Sequence, residues 1–341
     1  MKRFRQTAER KVPKGVSRRV STLIGLAALL TCSSCRGHDG PQAWALAEDA
    51  SAEQNWSRAA ELWYEIHRSE EQKSVRSYYE TSRALYETGD CESACALLRM
   101  GLSEHPDAAV LYELHADVLE ASGFDRAAEH AYARLVELRP SHIDGLVGLG
   151  RIRLSLGLER GAREPLEHAI ELDPERADAY LHLALVSAEV GDDLSAFAYY
   201  SRAFELGAGD DSLLVAAASL AMGEAVAKER PEAHEAALLW MDAVVERQPQ
   251  NTPAHFLRGV HLEALGRSEE ALDAYLRAAE TDPGCIQALT RLARLYANLG
   301  EALLAEEMVQ RALQIEEDPM RRAELAALIR PPAATEALPA E

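Results

Sequence analysis

The chain has 341 residues, of which 36 are Lys or Arg and 56 are Asp or Glu, and its formal net charge is −20. Residues 1–35 carry eight basic side chains and one acidic side chain, so the remainder is near −27. A body with this charge does not attract phosphate backbones, and no cluster of Lys or Arg interrupts it. We therefore expect no nucleic-acid partner, and membrane contact only through the N-terminal segment or a lipid anchor.

The first 35 residues predict a signal peptide or membrane-targeting segment that takes no part in the fold. The basic residues lie within 1–19, and an uncharged stretch rich in Leu and Ala follows over Val20–Cys35. Its 16 residues are few for a membrane-spanning helix, which needs about 20. We expect an exported protein of the cell envelope or periplasm. Residues 36–40 are interpreted as a short linker.

Two cysteines at the end of this stretch resemble the lipidation site of bacterial lipoproteins. Cys35 follows a serine, as that pattern requires, but Cys32 stands where leucine is usual. Cys32 itself follows apolar residues, but Thr31 stands where Gly, Ala or Ser is usual. Cys35 and Cys32 are therefore both lipidation candidates. Plain cleavage and an uncleaved, retained anchor are the alternatives.

From residue 41 to residue 319 a unit of 34 residues recurs in eight copies, one of them irregular. The units are 41–74, 75–108, 109–142, 143–176, 177–210, 211–251, 252–285 and 286–319. Position 8 of the unit is small, as in Ser82, Ala116, Gly150, Ala184, Gly259 and Ala293. Position 15 is glycine in Gly89, Gly123, Gly157, Gly191, Gly266 and Gly300. Position 20 is alanine in Ala60, Ala94, Ala128, Ala162, Ala196, Ala237, Ala271 and Ala305. Position 24 is large in Tyr64, Leu98, Tyr132, Leu166, Tyr200, Met241, Tyr275 and Val309, and position 32 is often proline.

Each of these preferences has a physical cause. Small residues at positions 8 and 20 let two antiparallel helices approach closely, while larger side chains fill the seam between them. Glycine at position 15 gives the backbone freedom that a short helix–helix turn needs. Proline at position 32 ends the second helix before the next pair begins. One pair leaves an apolar face bare, so the pairs are expected to stack.

The pattern resembles the tetratricopeptide repeat, a helix pair of 34 residues. The resemblance covers residues 41–319. It implies an all-α fold, a right-handed superhelical solenoid of about eight antiparallel helix pairs. It also implies that the chain binds protein partners and is not an enzyme. The carboxylate clamp of chaperone-binding family members is absent, because no three consecutive units present its Lys, Asn and Arg set.

The sixth unit, Asp211–Asn251, has 41 residues, seven more than the others. We expect the additional residues to extend its first helix through Gly223–Glu229, with Pro231 early in the second helix. After the last unit, residues 320–329 have apolar side chains at helical spacing and predict a capping helix for the exposed end. Residues 330–341 contain three prolines and predict a disordered tail.

Catalytic, metal and cofactor sites are not indicated. The sequence contains no nucleotide-binding glycine loop, no Gly-x-Ser-x-Gly and no His-Glu-x-x-His. Cys91 and Cys95 lie four residues apart without further ligands nearby. They form either a disulfide, if Cys91 lies in a turn, or two small helix residues. We therefore expect no cofactor and no bound metal.

In the family that the chain resembles, the first helices of successive pairs line a concave groove. Carrying those positions over predicts a charged and aromatic first half, with an apolar floor in the second half. The alternative is that the apolar side chains only pack against neighbouring helices. The candidate groove residues are Leu181, Leu185, Val215, Met222, Phe256, Val260, Arg76, Tyr79, Arg83 and Arg294, with Glu113, Asp117 and Glu120 among the acidic positions.

Such a groove suits an amphipathic helix or an extended segment with apolar anchors. The favoured function is a non-enzymatic interaction scaffold in the bacterial cell envelope, binding a partner segment in the groove. The alternative is a substrate-handling or regulatory module that delivers extended polypeptides to an envelope enzyme or to a secretion or assembly complex. An enzyme, or a detached regulatory domain of one, is the third and least favoured hypothesis.

Overall fold

The computed structural model describes residues 41–70, 73–223, 228 and 232–328. These residues form seventeen α-helices and no strand. The chain divides into two compact units, residues 1–94 and residues 95–341. The all-α prediction is confirmed, and in each unit the helices follow one another as antiparallel pairs joined by short turns.

The first unit contains three helices and the beginning of a fourth. They are α1 (Pro41–Ala52), α2 (Trp56–Ser69), α3 (Val75–Glu87) and α4 (Cys91–Glu104), which continues into the second unit. Within this unit a small core of Ala47, Ala50, Ala59, Trp63, Ile66 and Ala84 joins α1, α2 and α3. The indoles of Trp44 and Trp63 meet edge to face, with ring centroids 5.2 Å apart.

The second unit continues with thirteen helices. The helices of the third, fourth and fifth repeats are α5 (Ala109–Ala121), α6 (Asp125–Leu138), α7 (Ile143–Ser155), α8 (Glu159–Leu172), α9 (Ala177–Glu189) and α10 (Asp193–Glu205). In the sixth to eighth they are α11 (Asp211–Leu220), α12 (Ala233–Arg247), α13 (Thr252–Ala264), α14 (Ser268–Thr281), α15 (Ile286–Asn298) and α16 (Ala302–Ile315). The last helix is α17 (Pro319–Ala327).

The glycines at position 15 adopt the left-handed conformation that a turn between two helices requires. Their φ angles lie between +72° and +87°. A side chain at such a position strains the backbone, because the left-handed region places Cβ against the following carbonyl. Each of these glycines thus forms the turn between the two helices of its pair, and the second helix begins two residues after the glycine.

Close approach at position 8 holds the two helices of a pair together. A Cβ at Gly259 would lie 2.5 Å from Cε1 of Tyr275, and one at Gly150 would lie 2.3 Å from Cγ of Leu166. Both partners are position-24 residues and are fully buried. The seam between small position 8 and large position 24 is therefore too close for any larger side chain at Gly150 or Gly259.

The first repeat departs from the predicted register by one residue. Ala59 and Trp63 are buried, whereas Ala60 is half-buried and Tyr64 is 50% exposed. The cause is a turn that ends one residue early: Gln54 takes the left-handed conformation, at φ 57°, that glycine takes elsewhere. The assignment of Tyr64 to the seam was therefore wrong, and Trp63 fills that place.

The sixth repeat also differs from the prediction. Its first helix, α11, ends at Leu220, before the predicted extension begins, and the N–H of Gly223 donates to the carbonyl of Leu220 over 2.9 Å in a turn. Residues 224–227 and 229–231 lie outside the described part. Glycine has a low helix propensity, which favours an end at this point. The second helix begins at Ala233, and Pro231 lies outside the described residues.

The C-terminal helix α17, Pro319–Ala327, occupies much of the segment predicted to cap the solenoid. Only Leu325 is buried, Leu328 is half-buried, and Met320 is 74% exposed. Residues 1–40 and 329–341 lie outside the described part, as do Cys32 and Cys35. None of the described helices is long and apolar enough to cross a membrane.

Candidate partner-binding site

A strip of apolar side chains lies on the first helices of the fifth, sixth and seventh repeats, at the predicted groove positions. We call it the apolar strip: Leu181 and Leu185 on α9, Val215 on α11, and Phe256 and Val260 on α13. All five are half-buried. Met222, the sixth predicted member, follows α11 and is 43% exposed.

The apolar strip rests on a hydrophobic core of the second unit. Four of its members pack against a cluster that contains Phe197, Leu214, Trp240 and Met241. First helices of successive pairs also contact one another directly, α7 with α9 and α11 with α13. Each strip residue therefore combines a buried side, held by the core, with a side that solvent reaches. Leu181, Leu185, Val215 and Phe256 thus have one hydrophobic core as their common support.

The C-terminal end of the second unit contains a pocket of about 510 Å³. We call it the terminal pocket. Phe256 of α13 forms one wall, and Leu325 and Leu328 of α17 form another. Between them α15 contributes Gln287, Thr290, Arg291 and Arg294, which recur every three or four residues and so share one helical face.

The charged groups of the terminal pocket differ in how they are held. Arg291 lies 3.3 Å from Glu263, and the hydroxyl of Tyr275 donates to the same carboxylate over 2.8 Å. Arg321 of α17 lies 3.8 Å from Glu316. Arg294, by contrast, is exposed and makes no ion pair or hydrogen bond with any residue that the structure describes. Arg321 is also exposed, but Arg294 is the one guanidinium of the pocket that pairs with no carboxylate of the described residues.

The predicted groove residues of the first unit have partners of their own. The guanidinium of Arg76 pairs with the carboxylate of Glu48 and lies 4.8 Å above the ring centre of Trp44. Arg83 lies 5.4 Å from the ring centre of Trp56. Tyr79 is half-buried. These contacts order the two arginines against aromatic rings.

The acidic groove positions of the third repeat are likewise engaged within the second unit. Glu120 pairs with Arg151, and Glu113 lies 3.5 Å from Nε2 of His142. The hydroxyl of Tyr132 donates to Asp117 over 2.6 Å. Burial raises the pKa of the Glu113 and Asp117 carboxyls above their usual values. The Glu120–Arg151 pair joins the third repeat to the fourth, and the other two contacts lie within the third. These acids are already engaged and so are poorly placed to bind a basic partner.

Three histidines of the second unit, of which His261 is buried and His115 and His182 are half-buried, are not poised for proton transfer. Burial lowers the pKa of His115, His182 and His261 to about 4, so each is neutral at pH 7. Nδ1 of His261 shares a hydrogen bond of 2.9 Å with Nδ1 of His234, which joins α12 to α13. A general base works best with a pKa near the working pH. These side chains are therefore part of the packing.

Metal ligation and disulfide formation find no support in the described part of the chain. No three His, Cys, Asp or Glu residues there are grouped so that they could hold a metal ion. Cys91 and Cys95 both lie in helix α4, and neither they nor Cys285 forms a disulfide. The second of the two interpretations of the cysteine pair, small helix residues, agrees with this geometry.

Two of the residues that line the terminal pocket, Phe256 and Arg294, are among the predicted groove residues, whereas Arg291, Leu325 and Leu328 are not. Arg291 does not occupy a groove position of the repeat. It lies three residues before Arg294, and this spacing could have indicated that the two side chains share one face of α15. Leu325 and Leu328 were interpreted only as members of a capping helix. Their role as a wall depends on where α17 docks, which no repeat position specifies.

Comparisons with known proteins agree with the fold. Models of the tetratricopeptide repeat match residues 232–285 and 286–319. The crystal structure of YrrB, a TPR protein with an unusual peptide-binding site, superposes with a TM-score of 0.51 at 22% identity. That match covers 58% of this chain and 98% of YrrB. At this identity it bears on the fold alone.

Two human proteins share shorter stretches of similarity. General transcription factor 3C polypeptide 3 is 32% identical over 103 residues, which is 30% of this chain and 12% of that protein. Protein O-mannosyl-transferase TMTC3 is 24% identical over 188 residues, or 55% of this chain and 20% of the transferase. The chain thus spans a minor part of each relative. The repeat models thus identify tetratricopeptide repeats in residues 232–319, and the helix-pair fold agrees with them.

Proposed function

We propose that this chain is a non-enzymatic scaffold that binds a segment of a partner protein along the apolar strip. The observation that carries the proposal is that five large apolar side chains on the first helices of three successive repeats are only partly buried, and that four of them pack against one core. Large aromatic and aliphatic side chains that are anchored on one side and open on the other are typical of binding hot spots. YrrB, described as having an unusual peptide-binding site, supports the same use of the fold.

The expected partner segment is an amphipathic helix or an extended strand with apolar anchors. Anchors spaced by one helical turn would match Leu181 and Leu185, which are four residues apart on α9. The alternative, a module that hands extended polypeptides to an envelope enzyme or complex, uses the same strip. The two differ in the number of partners, because a scaffold holds one stable partner and a handling module holds many transient ones.

Site-specific photo-cross-linking tests this proposal. A photoreactive phenylalanine analogue replaces Leu185 or Val215 in the full chain, expressed in its native host. The matched control carries the analogue at Leu239, which is 63% exposed on the second helix α12. We expect covalent partner adducts from the two strip positions and none from Leu239. Equal adducts at all three positions, or none at the strip, would contradict the proposal.

We further propose that the protein acts in the bacterial cell envelope, held by its N-terminal segment. The basic residues of 1–19 and the uncharged stretch Val20–Cys35 support export, and Cys35 and Cys32 are the candidate lipid-bearing residues. Mass spectrometry of the mature N-terminus decides between them. We expect a lipid-modified cysteine, and Cys35→Ser to move the protein from the membrane fraction to the soluble fraction. A full-length, unmodified N-terminus in the cytosolic fraction would rule out export.

A further inference from the structure

The terminal pocket differs from the rest of the binding surface in chemistry as well as in shape. The apolar strip offers carbon surface, whereas the pocket combines apolar walls with polar and cationic groups on α15. Gln287 is exposed, and Thr290 is oriented by its hydroxyl, which donates to the carbonyl of Ile286 over 2.7 Å. A ligand in the pocket therefore meets an apolar wall and hydrogen-bonding groups at once.

We propose that the terminal pocket binds an acidic and aliphatic stretch of the partner polypeptide, with Arg294 pairing with a carboxylate side chain and Phe256, Leu325 and Leu328 holding an aliphatic side chain. This inference rests on the proposed function, because it assigns a chemical identity to one end of the bound segment.

Charge complementarity decides in favour of an acidic segment. Three guanidiniums, those of Arg291, Arg294 and Arg321, line the pocket in a chain whose formal charge is −20. Two of them are already paired with carboxylates of the chain, and Arg294 is left with no such partner among the described residues. Planar guanidinium groups bind carboxylates with two parallel hydrogen bonds, which makes Arg294 a selective contact.

Two carboxylates line the pocket and oppose this preference, and one of them, Glu316, is paired with Arg321. Glu324 of α17 also lines the pocket, and it forms no ion pair with the described residues. Its charge weakens the attraction for an acidic ligand. Removing that charge should therefore strengthen binding, whereas reversing the charge of Arg294 should reverse the preference of the pocket. The two substitutions act in opposite directions, which makes the inference testable without knowledge of the natural partner.

The probes are four fluorescein-labelled ten-residue peptides with a common Gly-Ser host. Each carries Leu or Ser at one position, and Glu or Lys two positions later. Fluorescence anisotropy with the full chain is expected to rank the Leu/Glu peptide first. Arg294→Glu should lower its affinity about tenfold or more, the range for a lost charged hydrogen bond, and should favour the Leu/Lys peptide instead. Glu324→Gln should raise the affinity for the Leu/Glu peptide two- to threefold, roughly the effect of removing an exposed repulsive charge.

The matched control is Arg277→Glu, which makes the same charge change on α14, where Arg277 is exposed and pairs with Glu280 outside the pocket. Its affinity for every probe should equal that of the wild type within twofold. The proposal is overturned if the four probes bind alike, or if Arg294→Glu and Arg277→Glu have equal effects. It is also overturned if the Leu/Glu peptide binds only after residues 329–341 are removed, because the chain itself would then occupy the pocket.

Failure here is distinguishable from failure of the proposed function. Cross-links from Leu185 without probe selectivity at Arg294 would retain the scaffold and reject the acidic segment. Probe selectivity at Arg294 without cross-links from the apolar strip would place binding in the pocket alone.

Discussion

The close packing of Gly150 against Leu166 provides a sharp test of the fold. Gly150 on α7 faces Leu166 on α8, and a Cβ there would lie 2.3 Å from Cγ and 2.6 Å from Cδ2 of that leucine. Leu166 is fully buried, so its side chain has no free space to enter. Gly150→Ala must therefore push the two helices apart or force Leu166 out of its rotamer.

Two opposing effects set the magnitude. Overpacking a well-packed core typically costs about 1–3 kcal/mol. Replacing glycine by alanine inside a helix contributes about 1 kcal/mol in the other direction. The contact distance is far inside van der Waals range, so the overpacking cost should be in the upper part of its range. The net destabilisation is then about 1–2 kcal/mol, which lowers Tm by roughly 2–8 °C in a chain of this size.

The matched control is Gly161→Ala in the same pair of helices. Gly161 is exposed on α8, and a Cβ there would meet only Cδ of Arg153, at an ordinary 3.6 Å. Alanine should stabilise this position by about 0.5–1 kcal/mol. Thermal and urea unfolding, followed by circular dichroism, measure both variants. If Gly150→Ala raises stability as Gly161→Ala does, the close packing of positions 8 and 24 is wrong.

Two further predictions concern local strain and three histidines of lowered pKa. Gln54→Gly should stabilise the chain by about 0.5–1 kcal/mol in urea unfolding, since Gln54 holds φ 57°, where glycine is unstrained; an unchanged midpoint would contradict this. The pKa of about 4 for His115, His182 and His261 in the folded state lies below the unfolded value of 6.5. The stability that these neutral imidazoles contribute is therefore fully present above pH 6.5 and is lost as the pH falls towards 4. Lowering the pH from 7 to 5.5 should reduce the free energy of unfolding by about 1 kcal/mol for each of the three histidines. In urea unfolding at several pH values, His261→Gln should therefore reduce the slope of stability against pH. An identical slope would argue against the burial of His261 as a neutral group.

Most of the helix-pair fold could be predicted from the sequence because its determinants are local. A left-handed turn needs glycine at one position, and a close seam needs Gly or Ala opposite a large side chain. Gly89, Gly123 and Ala162 therefore occupy the predicted places. Such determinants act within one repeat, so counting positions in the sequence identifies them.

The predictions for the first and sixth repeats were wrong where local turns and tertiary packing overrode the position of a residue within the repeat. Trp63 and Tyr64 are adjacent aromatic residues, and only the shortened turn at Gln54 selects Trp63 for the core. The apolar run of α11 gave no sign that its helix ends at Leu220. In the candidate site, the strip followed from repeat positions, but the terminal pocket depends on how α17 docks, and a solitary helix after the last repeat has no register to count from.

The most direct test of the central claim is to place a charge in the apolar strip while the fold is monitored. Leu185→Asp and Phe256→Asp are compared with Leu239→Asp, which alters an exposed leucine outside the strip. Partner capture is measured with each variant alongside its circular dichroism and Tm. The account predicts that the strip variants keep the helical fold and lose the partner, while Leu239→Asp keeps both. Strip variants that unfold would show that these side chains serve packing alone, and folded strip variants that still capture the partner would show that binding lies elsewhere.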